Sequence, residues 1–109
     1  MMRERNPLEA LEVRASPIHG RGVFTIRRVQ RGAWLGNYEG VPASRNGRYV
    51  LWVEQEDGRP LGISGRNALR FLNHSQTPNA CFYGEELFAL RNIAAGSELT
   101  IDYGPEWST

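Results

Sequence analysis

Short apolar runs separated by turn signals fill this chain, and long amphipathic helical stretches are absent. Residues 9–16 alternate, with Leu11, Val13 and Ala15 on one side, and predict a first strand that Pro17 ends. Residues 18–22 read as a loop and residues 23–26 as a second strand. A charged turn at 27–32 leads to a third strand over 33–40, followed by a loop of small and polar residues at 41–46. Residues 48–53 are aromatic and β-branched and predict a strand, which a turn at 56–60 and a short return strand at 61–63 complete as a hairpin. A second hairpin, 80–83 with 86–90, folds around Gly84-Glu85, and after a turn at 91–97 the last strand covers 98–101. The sum is a mainly β fold with one or two short helical turns.

At 109 residues the chain reads as a single domain with a modest core. No apolar run reaches the roughly 18 residues of a membrane span, and no apolar region follows the first residues, so neither a membrane segment nor a signal peptide is expected. The 13 basic residues are all arginine and face 12 acidic ones, a balance that argues against a dedicated nucleic-acid binder. Cys81 is the only cysteine, so a disulfide within the chain and a cysteine zinc cluster are both excluded, and no metal is expected.

The chemistry concentrates in Arg70-Phe71-Leu72-Asn73-His74-Ser75-Gln76-Thr77-Pro78-Asn79. Three hydrogen-bonding side chains in a row, between apolar anchors and a proline, suit the floor of a pocket for a polar small molecule. They suit a polar loop with local side-chain caps more readily, and the residues alone leave both readings open.

That stretch resembles the signature of SET-domain protein-lysine methyltransferases, and Glu98-Leu99-Thr100-Ile101-Asp102-Tyr103-Gly104 resembles the family's second signature. Two shorter elements precede them in the family's order, Gly20-Arg21-Gly22-Val23-Phe24 and Tyr38-Glu39-Gly40, so the likeness runs from about residue 13 to 104. The resemblance implies the SET β-fold, small curved sheets around a pseudoknot in which the strand leading to Tyr103 passes beneath the loop of Asn73 and His74. It also implies transfer of methyl groups from S-adenosyl-L-methionine to lysine ε-amines of a histone, a histone-like protein or another basic protein. Carried over by residue, Tyr103 is the catalytic tyrosine. Gly20, Arg21, Gly22, Arg70, Asn73, His74 and Tyr103 would line the cofactor site. Tyr38, Ile101 and Tyr103 would line the lysine channel, although Tyr38 reads as well as a half-buried strand tyrosine.

Isoleucine at 101 has no hydroxyl to anchor a water in that channel, which points to di- or trimethylation. Many relatives wall the channel with a cysteine-rich segment after the second signature, whereas only residues 105–109 follow it here. Trp107 is therefore expected to cover the cofactor or to seal a homodimer. The all-arginine usage favours a bacterial, cytoplasmic setting, with a nuclear or chromatin setting for a eukaryotic or viral source. A SET-like binding or scaffold module without activity is the alternative.

Overall fold

The computed structural model describes residues 10–103. Ten short strands form three small sheets. The first has the order β1 (Leu11–Ala15), β2 (Arg21–Thr25), β10 (Glu98–Ile101), β7 (Asn73–His74). The second runs β3 (Trp34–Asn37), β9 (Glu86–Ala89), β8 (Ala80–Tyr83), and the third β4 (Gly40–Ala43), β6 (Pro60–Gly65), β5 (Val50–Glu54). A 3₁₀ turn, Ala68–Phe71, leads into the signature stretch and includes its first two residues. The mainly β fold with a short helical turn is thus as expected.

Val23, Leu69, Leu87 and Leu99 are fully buried and knit the sheets into one apolar core. They come from β2, the 3₁₀ turn, β9 and β10, so the core is built from residues far apart in sequence. Its loss of water-exposed apolar surface is the main force holding the sheets together.

The first sheet brings the strand leading to Tyr103 against the signature stretch, the neighbourhood that the resemblance implied. β10 lies between β2, to which it is antiparallel (Leu99↔Val23), and β7, to which it is parallel (Thr100↔Asn73, Ile101↔His74). β7 has only two residues, and side chains extend its hold. Asn79 accepts from the Thr100 N–H at 2.8 Å and donates to the Glu98 carbonyl at 2.9 Å, so its amide binds β10 as a strand's own amide would.

Several boundaries differ from those the pattern predicts. Arg21 and Gly22 belong to β2, paired with Ala15 and Arg14, and only Gly20 of that element stays in the turn, at φ +46. The strand expected over 33–40 ends at Asn37, and residues 41–43, expected as loop, form β4 with Gly40 against β6. Gly40 permits this, since any side chain there would strike the Ser64 carbonyl. Pro42 is tolerated because β4 is an edge strand and need not donate from that position. Asn73 and His74, expected in a polar turn, are the paired residues of β7. The hairpin around Gly84-Glu85 forms as predicted. That within 48–63 forms with shifted ends, its first strand starting at Val50 after a turn at Arg48 and Tyr49 and its return strand at Pro60. Each has a positive-φ glycine in its turn, Gly58 and Gly84.

Candidate functional site

Two cavities of unequal character meet at Tyr103. The larger, about 750 Å³, is lined on one side by His19, Gly20, Arg21 and Asn73, and on the other by Asn46, Arg48, Tyr49, Arg70 and Phe71. The smaller, about 240 Å³, is bordered by Leu51, Ala80, Cys81, Phe82 and Ile101, with Asp102 at its edge. Between them a narrow gap of about 20 Å³ is lined by Tyr38, Leu51, Phe82, Ile101 and Tyr103, with Arg48 and Arg70 beside it.

The large cleft owes its shape to stacked rings and guanidinium groups. Tyr49 and Phe71 meet edge to face at 5.9 Å. Arg70 lies over Phe71 at 4.2 Å, Arg21 over the same ring at 5.8 Å, and Arg48 over Tyr49 at 5.5 Å. Arg70 is held further by its Nη1, which donates to the carbonyls of Arg66 and Asn67 at 2.8 Å each. Three cations across its lining, with no carboxylate there among the described residues, make the cleft attractive to an anionic group.

On the opposite wall Asn73 acts as a clamp. Its amide nitrogen lies 2.9 Å from the Arg21 carbonyl, 3.1 Å from the His19 carbonyl, 2.8 Å from Glu98 Oε2 and 3.1 Å from Ser16 Oγ. Two amide protons shared among these acceptors tie the loop at 16–21 to β10. Ser16 donates in turn to the Glu98 carboxylate at 2.8 Å and accepts from the Ile18 N–H at 2.9 Å. Gly22 serves the same cluster, because a Cβ there would lie 3.1 Å from Ser16 Cβ and collide with the Glu98 carboxylate.

Tyr103 is bracketed by the segment just before and at β7. Its hydroxyl donates to the Leu72 carbonyl, and its backbone N–H donates to His74 Nδ1 at 3.0 Å. Burial first, and the Glu98 carboxylate second, push the phenol's pKa up, so it stays protonated at neutral pH. Tyr38 donates to the Tyr49 carbonyl, packs edge to face on Phe82 at 5.7 Å, and is pushed up to about 12. Burial is the largest cause there, followed by Tyr103, while Arg70 pulls the other way.

Set against the sequence reading, Gly20, Arg21, Arg70, Asn73 and Tyr103 come together on the large cleft. Gly22 and His74 do not line it. Tyr38, Ile101 and Tyr103 come together at the narrow gap. Trp107, and with it the expected closing of the site, lies outside the described residues. Arg48, Tyr49 and the Ser16–Glu98 pair were missed. Arg48 and Tyr49 read as the start of a strand, and nothing local connects Ser16 with a carboxylate 82 positions away. Among the described residues no group of three His, Cys, Asp or Glu side chains is placed to hold a metal ion.

The family model of the SET domain matches residues 20–104. Human histone-lysine N-methyltransferase 2B is 36% identical over 87% of the chain, which is 4% of that protein. The histone-lysine N-methyltransferase MEDEA of Arabidopsis thaliana is 34% identical over 85% of the chain, 17% of that protein. The histone-lysine N-methyltransferase trithorax of Drosophila virilis is 32% identical over 81% of the chain, 3% of that protein. The chain thus spans less than a fifth of the length of each of these relatives.

Proposed function

Because the chain belongs to the SET-domain family, we propose that it is a methyltransferase that uses S-adenosyl-L-methionine to methylate the ε-amine of lysine in a protein substrate. The observation that carries the reading is the place of Tyr103, whose side chain borders the cationic cleft, the apolar groove and the gap between them. A transfer between two substrates needs such a junction, with each substrate entering from its own side.

The residues of the large cleft fit the cofactor. The guanidinium groups of Arg21, Arg48 and Arg70 suit its carboxylate, the rings of Tyr49 and Phe71 offer apolar faces, and the volume of about 750 Å³ lies in the range of small-molecule sites. S-adenosyl-L-methionine supplies an electrophilic methyl group on a sulfonium. The chain's own part is to deliver a neutral amine in line with that group. A lysine in water has a pKa of about 10.4. In the gap it meets Tyr38, Phe82 and Ile101 together with the cations of Arg48 and Arg70, and both low polarity and like charge favour the neutral form. The protonated phenol of Tyr103 is no base at neutral pH. Its oxygen and the Leu72 carbonyl are fixed against each other and orient the reacting groups by weak contacts.

The substrate reading follows from the groove. Asp102 at its edge suits a basic segment carrying the target lysine, which agrees with a histone or another basic protein. Incubating the protein with a lysine-rich protein pool and tritiated S-adenosyl-L-methionine tests the proposal. Label in protein, lost with Tyr103→Phe, is the expected result. Tight cofactor binding with no transfer to any basic protein would instead identify a binding module.

A further inference from the structure

We propose that His74 is a positioning residue whose imidazole fixes the backbone of Tyr103, a role separate from holding the cofactor. The proposal rests on the methyltransferase reading for its kinetic consequence, and on geometry for the rest. β10 ends at Ile101, whose carbonyl accepts from the Ser75 N–H at 3.0 Å. Asp102 and Tyr103 lie beyond the end of the strand.

The bond from the Tyr103 N–H to His74 Nδ1, at 3.0 Å, holds the chain just past that end. The phenol is held at its far end by Leu72, so Tyr103 is gripped at its two ends by residues one place to either side of Asn73. Neither grip alone fixes the ring, since a side chain anchored only at its oxygen can still swing at its backbone. The two rings also pack together, 5.2 Å apart and tilted by 48°.

The chemistry of imidazole makes the arrangement specific. Nδ1 accepts, so it carries the lone pair and the ring proton sits on Nε2. Asp102 Oδ1 is 3.8 Å from Nδ1, beyond hydrogen-bond reach, so the Tyr103 N–H is the group that Nδ1 serves. The ring is absent from the lining of the large cleft, while its neighbour Asn73 is part of it. Adjacent residues of one short strand point to opposite sides, and here the two sides have different tasks.

Three variants of the full chain separate positioning from cofactor binding. Asparagine keeps an acceptor at the place of Nδ1, glutamine moves it to the place of Nε2, and alanine removes it. His74→Ala and His74→Gln should lower kcat about tenfold, the worth of one hydrogen bond, with the cofactor Kd and the substrate KM changed by no more than about twofold. His74→Asn should restore most of kcat. Amide hydrogen exchange at Tyr103, followed by NMR, should quicken in the alanine and glutamine variants and stay slow in the asparagine variant. Weakened cofactor binding in all three variants, or Tyr103 exchange that none of them alters, would overturn the proposal. A wild-type protein that transfers no methyl group would overturn the methyltransferase reading alone, and the exchange at Tyr103 would still decide the role of His74.

Discussion

The sheet of β1, β2, β10 and β7 lines the large cleft through Arg21 and Asn73, whereas the sheet of β4, β6 and β5 carries the connecting segment 46–49 that lines it, and the two sheets are held by different means. The first joins strands from the beginning, middle and end of the described chain, and buried side chains pin it: Asn73, Thr25 and Thr100 are its buried polar residues. The second is a hairpin with one added edge strand, paired along its length and reaching the core chiefly through Leu51, with no buried polar side chain among its described residues. Its outer positions, Val41 and Leu61 among them, are exposed. The first sheet can therefore fix the positions of Asn73, His74 and Tyr103 closely, at the cost of depending on a few buried groups. The segment leading into the second supplies Arg48 and Tyr49 to the cleft, β5 supplies Leu51 to the smaller cavity, and the rest of that sheet tolerates change.

The difference predicts unequal responses to mutation. Asn73→Ala should have the largest effect. It leaves the His19 and Arg21 carbonyls and the Glu98 carboxylate without their shared donor, which should cost about 3 kcal/mol of stability. Chemical denaturation measures it, and the loosened loop at 16–21 should weaken cofactor affinity in parallel. Tyr103→Phe should follow, with a fall in turnover of about a hundredfold at nearly unchanged stability and cofactor affinity, read from kcat and calorimetry. Equal losses in kcat and in stability would mean that the hydroxyl only braces the fold.

In the hairpin sheet, Gly58→Ala should cost only about 1 kcal/mol, because the glycine sits at φ +83 in a turn with open space around it. Thermal melting shows this, and methyl transfer should be unaffected. The smallest effect concerns Tyr38. Its pKa is raised to about 12, so between pH 10 and 12 the folded chain holds a proton that the unfolded chain has released. Stability contributed by this group is complete below pH 10 and is lost as pH rises towards 12. Tyr38→Phe should flatten that alkaline fall, and denaturation at pH 9 and pH 11.5 measures it.

The same contrast explains what the sequence could reveal. The two regular hairpins were legible because their strands are rich in β-branched and aromatic residues and their turns hold glycines. β4 was hidden by Gly40 and Pro42, which argue locally for a loop and are admitted only by the edge of a sheet. The two-residue β7 was hidden because its pairing partner lies 27 positions later, Thr100 against Asn73. In the site, the residues of the long signatures were legible through their resemblance to a family. Ser16 with its bond to Glu98, Arg48 and Tyr49 were not, since their roles come from contacts across the chain. The resemblance also joined Asn73 and His74 under one role, whereas the strand turns them to different sides.

The most direct test of the account is the identity of the product. The wild-type chain and Tyr103→Phe are incubated with S-adenosyl-L-methionine and a basic protein, and the products are digested and analysed by mass spectrometry. Methyl groups on lysine ε-amines with the wild type, reduced about a hundredfold with Tyr103→Phe, are the predicted result. A folded wild-type chain that binds the cofactor but leaves every lysine unmodified, or an equal yield from both proteins, would contradict the account.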